Sequence, residues 1–113
     1  MNVSELIKNL KDVNSNSNVI INIENGNDVS ICDDIEFYND DCYNEVVISG
    51  KLYKGNKMKV SELIEKLKDV NGDSDVNINI EIGDNVISSY DIEFYNDDFY
   101  NEVVLSGVGS DYE

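Results

Sequence analysis

The sequence predicts an α+β protein: a tandem duplication of a helix–strand–strand–strand unit, with antiparallel sheets that each carry one helix on one face and copies related by a pseudo-two-fold. Three observations predict it. Residues 1–50 and 58–107 align without a gap at an offset of 57, and sixteen of the fifty aligned pairs differ. Each copy opens with apolar residues at helical spacing. Each continues in runs of Val, Ile, Phe and Tyr that alternate with polar residues and are broken by Gly, Asn and Asp.

The elements follow in order. Val3, Leu6, Ile7, Leu10 and Val13 fall on one helical stripe, repeated as Val60, Leu63, Ile64, Leu67 and Val70. Ser4 and Ser61 are the expected N-caps, with Glu5 and Glu62 near the positive end of each helix dipole. Asn14 and Asn71 with Gly72 end the helices. In the next segment Val19, Ile21 and Ile23 recur as Val76, Ile78 and Ile80, so they face the core. Ile20 becomes Asn77, so that side faces water. Asn25-Gly26-Asn27-Asp28 signals a hairpin turn, echoed by Gly83-Asp84-Asn85. A second strand is expected over 29–38 with Ile35 and Phe37 inward, and a third over 43–48 with Val46 and Ile48 inward.

The organisation is then a first repeat at 1–50, a linker at 51–57, a second repeat at 58–107 and an acidic, frayed tail at 108–113. The linker reaches about 25 Å at most. A unit of this size buries a marginal core alone. The halves are therefore expected to pack together, a continuous six-stranded sheet being one form. Two independent units is the alternative.

The formal charge is −16, from 24 acids and 8 lysines, with no His and no Pro. Such a charge disfavours phosphate backbones and anionic membranes, and favours a basic partner. No signal-peptide pattern and no apolar run of membrane-spanning length is present. Cys32 and Cys42 are replaced by Ser89 and Phe99 in the second copy, which gives neither a metal framework nor a disulfide scaffold. They read as reduced bystanders in a cytosol. Without His, with unrepeated cysteines and with acids on an exposed face, catalysis has little to work with, and no enzyme, cofactor or metal is expected. The loops at 12–18 and 69–75 alternate oxygen-bearing residues like a calcium loop. Their sixth positions are Ser17 and Ser74, not Gly, and their twelfth are Ile23 and Ile80, not Glu. Asx turns are the better reading.

The acids are segregated. Residues 12–50 and 69–113 contain no lysine. If Ile35 and Phe37 point inward, Asp34, Glu36 and Tyr38 point outward. Likewise Tyr43 and Glu45 point outward beside Val47, and Asp40 and Asp41 crown the turn. The second copy presents Asp91, Glu93, Tyr95, Asp97, Asp98, Tyr100 and Glu102 in the same way. Only two of the sixteen differences fall within 34–50. Burial does not account for retained acids, since like charges side by side repel. Carboxylates at i and i+2 on a strand lie about 6.7 Å apart, on the order of the spacing of phosphates along a nucleic-acid strand. The same pattern also serves as a solvated face that keeps sheets from aggregating.

Val60-Ser61-Glu62-Leu63-Ile64-Glu65-Lys66-Leu67, followed by a Val/Ile strand and acidic hairpins, resembles small phage and prophage proteins. The overall make-up resembles acidic phage inhibitors of host defence, including anti-CRISPR and anti-restriction proteins that imitate nucleic acid. The resemblance carries no residue-level motif; together with the lysine-free acidic layer present in both copies, it leads us to expect a non-enzymatic inhibitor in a bacterial host's cytoplasm, seated in the basic nucleic-acid groove of a host enzyme such as a CRISPR effector. In that expectation the hairpin acids carry charge and Tyr38, Tyr43, Tyr95 and Tyr100 are anchors. The alternative is a structural or adaptor module whose acidity serves solubility.

Overall fold

In the computed structural model, residues 1–40, 42–51 and 57–111 are described. The chain is α+β. It runs α1 (Val3–Lys11), β1 (Asn18–Asn25), β2 (Asp28–Cys32), β3 (Asp34–Asp40) and β4 (Glu45–Lys51) in the first copy. The second copy gives α2 (Val60–Leu67), β5 (Asp75–Ile82), β6 (Asn85–Ser89), β7 (Ile92–Asp97), β8 (Glu102–Val108) and the short β9 (Ser110–Asp111).

Two features differ from the expected meander. The long second strand is cut at Asp33, and in the second copy at Tyr90–Asp91, giving two hairpins per repeat. The two hairpins go to different sheets. One sheet has the order β2-β1-β8-β7 and the other β3-β4-β5-β6-β9. Each sheet therefore joins a hairpin from each copy through a central parallel pair. Asn18 to Glu24 pairs with Glu102 to Val108, and Glu45 to Lys51 pairs with Asp75 to Glu81. These ladders interchange on shifting by 57 positions, the pattern a pseudo-two-fold gives. The sheets are thus mixed rather than antiparallel throughout, and among the described residues they have four and five strands rather than six.

One core serves both copies. Val3, Leu6 and Leu10 of α1, Val60, Leu63 and Leu67 of α2, and the inward residues of both sheets form one buried cluster. The alternation of Val19, Ile21 and Ile23 holds, and all three are fully buried. At Gly50 and Gly107 the two sheets approach too closely for a side chain. A Cβ on Gly50 would lie 2.8 Å from the Cβ of Cys32, and one on Gly107 would collide with Ser89. Neither cysteine is in a disulfide; the Cys32 thiol is packed in the core and donates to the Asp34 carbonyl at 3.6 Å, whereas Cys42 is exposed.

Local corrections follow from this interleaving. The N-caps are Asn2 and Lys59, not Ser4 and Ser61, and Asn2 Oδ1 accepts from the backbone N–H of Glu5. The first N–H groups of each helix donate across the repeats: Val3 to the Ser74 carbonyl at 2.9 Å, Val60 to the Ser17 carbonyl at 2.9 Å. The other copy's loop satisfies donors that a cap would otherwise serve. Asn77 is 4% exposed, not water-facing as expected, although its counterpart Ile20 is half-buried. The hairpin signals hold. Gly26 and Gly83 have φ of 63° and 60°, the left-handed region that the first loop position of a two-residue hairpin favours. The expected frayed tail instead continues β8 to Val108 and adds β9 beside β6, while Tyr112 and Glu113 lie outside the described residues.

Candidate functional site: the acidic hairpin faces

The two sets of acids lie on different sheets. Asp34, Glu36, Tyr38 and Asp40 belong to β3 and Glu45 to β4; Glu93, Tyr95 and Asp97 belong to β7 and Glu102 to β8. Each sheet turns its inner face to the common core, so the two acidic outer faces look away from one another. They form two separate patches, not one track. Asp91 immediately precedes β7 and is exposed, as are Asp98 and Tyr100 in the β7–β8 turn. Tyr43 sits in the β3–β4 turn rather than a strand, 78% exposed. Asp41 lies outside the described residues.

Register sets like charges directly opposite. Asp40 pairs with Glu45, which pairs with Asp75 across the parallel ladder, making a three-carboxylate rung. Asp97 faces Glu102 in the same way, and Glu102 faces Asn18. Neighbouring strands are about 4.8 Å apart. Such rungs oppose folding by mutual repulsion.

Part of the unchanged segment has a structural cause that sequence reading missed. Asn44 and Asn101 adopt φ of 53° and 57°. Their side chains accept from the buried hydroxyls of Ser74 at 2.8 Å and Ser17 at 3.1 Å. Their carbonyls accept the N–H of Asp75 and Asn18, each at 3.0 Å. Each hairpin turn is thus clamped by the other copy's helix-to-strand loop. In those loops Asn14 and Asn71 accept from the backbone N–H of Asn16 and Asp73, the Asx turns expected there. Asp97 accepts from the backbone N–H of Phe99 and Tyr100 and so holds its turn. The hydroxyls of Tyr38 and Tyr95 donate to the carboxylates of Glu36 and Glu93 two residues back. That bond, then the charges of Glu93 and Glu24, raises the Tyr95 phenol above its ordinary 10.0.

Further residues join these faces unannounced by the repeat. Phe99 replaces Cys42, is 87% exposed and meets Tyr100 edge-on, with centroids 4.9 Å apart. Glu24, Asp91, Glu93, Tyr95 and Ser106 line a shallow cleft of about 160 Å³ on the β7–β8 face. The β3–β4 face is not free of lysines. Lys57 pairs with Asp33 at 3.7 Å and bridges to Asp34 through the backbone. Lys57 and Lys66 also line a cavity with Glu36 and Tyr38. The expected segregation of charge is therefore incomplete on one of the two faces. At the C-terminal end of α2 Lys68 pairs with Glu65 at 3.4 Å.

No family model, no curated protein and no solved structure matches the chain. Among the described residues, no helix is long and apolar enough to cross a membrane.

Proposed function

We propose that this protein is a non-enzymatic acidic inhibitor that occupies the basic nucleic-acid groove of a host defence enzyme, a CRISPR effector being the first to test. The observation that carries this reading is the pair of like-charge rungs, Asp40–Glu45–Asp75 and Asp97–Glu102, whose carboxylates are half-buried to exposed on the outer hairpin faces. Rungs that oppose folding have a use when a cationic surface neutralises them. Tyr43, Phe99 and Tyr100 at the hairpin tips supply aromatic contacts beside the charge. With the faces on different sheets, the two repeats act as two linked contacts or engage two copies of the partner.

The test is competition. Purified effectors carrying labelled duplex are titrated with this protein at stepped salt. Displacement that weakens steeply with salt, and is lost on changing Asp40, Glu45, Asp97 and Glu102 to their amides, supports the reading. Displacement indifferent to salt and to those amides would refute it.

An adaptor role has one observation in its favour. β2 is an edge strand of its sheet, with Val29 and Ile31 exposed at 55% and 62%. A partner adding a strand there would bind independently of the hairpin acids.

A further inference from the structure

The cavity between β3 and α2 has a chemistry of its own. Its volume is about 370 Å³, in the range of small-molecule sites. Its apolar part is Ile35 and Met58, both at least nine-tenths buried, with half-buried Phe37. Its polar part is two ammonium groups, Lys57 and Lys66, and two carboxylates, Glu36 and Glu62, with the Tyr38 phenol. In a chain of net charge −16, this lining sums to zero. Lys66 makes no ion pair among the described residues, so its charge is available.

The internal repeat supplies a control. A shift of 57 carries Ile35 and Phe37 to Ile92 and Phe94, Met58 to Met1 and Glu62 to Glu5. Lys66 becomes Asn9. The apolar residues and the acid are common to both copies, and the Lys66 ammonium belongs to one.

We propose that this cavity binds a small zwitterion with an apolar body, of the α-amino-acid class. Its carboxylate lies toward Lys66 and Lys57, its ammonium toward Glu62, and its side chain on Ile35, Phe37 and Met58. A simple cation would meet the lysines and a simple anion the glutamates; a zwitterion satisfies both sets. This site is independent of the inhibitor reading, because it does not use the rungs.

The test is an amide-shift NMR titration of the full chain with L-phenylalanine. Parallel titrations use 2-phenylethylamine, which lacks the carboxylate, and 3-phenylpropanoate, which lacks the amine. The expected result is saturable shifts confined to residues 35–38 and 57–66, with each analogue weaker by about tenfold. Lys66→Asn should bring L-phenylalanine down to the amine's affinity, and Glu62→Gln down to the acid's. Both side chains are exposed, so neither change threatens the fold. Equal binding of 2-phenylethylamine would show only the pull of an acidic protein on any cation, and would overturn the proposal. So would shifts scattered over the surface, or none at millimolar ligand.

Discussion

Replacing Asn44 tests how one repeat holds the other. Asn44 carries two separable roles: it occupies the left-handed region at φ 53°, and it accepts the hydroxyl of Ser74, which is 2% exposed. Alanine fails at both. The left-handed backbone costs about 1–2 kcal/mol in a residue with an ordinary Cβ. Stranding a buried hydroxyl costs about 1–3 kcal/mol. Asn44→Ala should therefore destabilise by about 2–5 kcal/mol. Asn44→Gly accepts the backbone and keeps only the second loss, about 1–3 kcal/mol. Adding Ser74→Ala to Asn44→Gly removes the stranded donor and should recover most of that loss. Urea unfolding measures all three, and at a mid-range slope of about 2 kcal/mol per molar the midpoint for Asn44→Ala should fall by about 1–2.5 M. Equal midpoints for the Ala and Gly variants would refute the conformational role. No recovery on adding Ser74→Ala would refute the clamp.

A lone repeat, residues 1–57, leaves β1 and β4 without their parallel partners, so dilute protein should be unfolded and concentrated protein should form a two-fold dimer in which each chain plays both copies; a stable monomer by sedimentation would contradict the interleaved fold. Glu45→Gln breaks a three-carboxylate rung and should stabilise by about 0.2–1 kcal/mol in low-salt urea melts, while weakening any cationic partner; a loss of stability would mean the rung is not repulsive. Tyr95 should ionise above the ordinary 10.0 because its hydroxyl donates a hydrogen bond to the Glu93 carboxylate, whose charge also opposes ionisation, and ultraviolet titration should show Glu93→Gln returning it toward that value. Its raised folded value means that its contribution to stability is present below pH 10.0 and lost as pH rises through the folded value. An unchanged Tyr95 titration in Glu93→Gln would sink the assignment.

The candidate site was partly legible in the residues. That Glu36, Tyr38, Glu93 and Tyr95 lie off the inner face follows from alternation with Ile35 and Ile92, and they do. What alternation could not supply was the company each face keeps. Lys57 and Lys66 are far from Glu36 in sequence, and only the docking of α2 beside β3 brings them near. Asp75 enters the Asp40–Glu45 rung because β5 pairs with β4 across the repeat boundary. The bonds from Ser74 to Asn44 and from Ser17 to Asn101 likewise join residues far apart in the chain, which alternation does not reveal.

The sequence by itself determined the helix stripes, the Gly26 and Gly83 hairpins and the inward sets Val19-Ile21-Ile23 and Val76-Ile78-Ile80. Those features depend on the period of the backbone and the conformational freedom of single residues, which are local. Only the tertiary structure decided that each strand pair crosses to the other copy, that the chain breaks at Asp33, and that Asn77 is shielded. Strand pairing is a choice among partners distant in the chain, made by which arrangement closes a single core. Two nearly identical repeats offer the same apolar pattern to both, so their sequence does not distinguish pairing within a copy from pairing between copies.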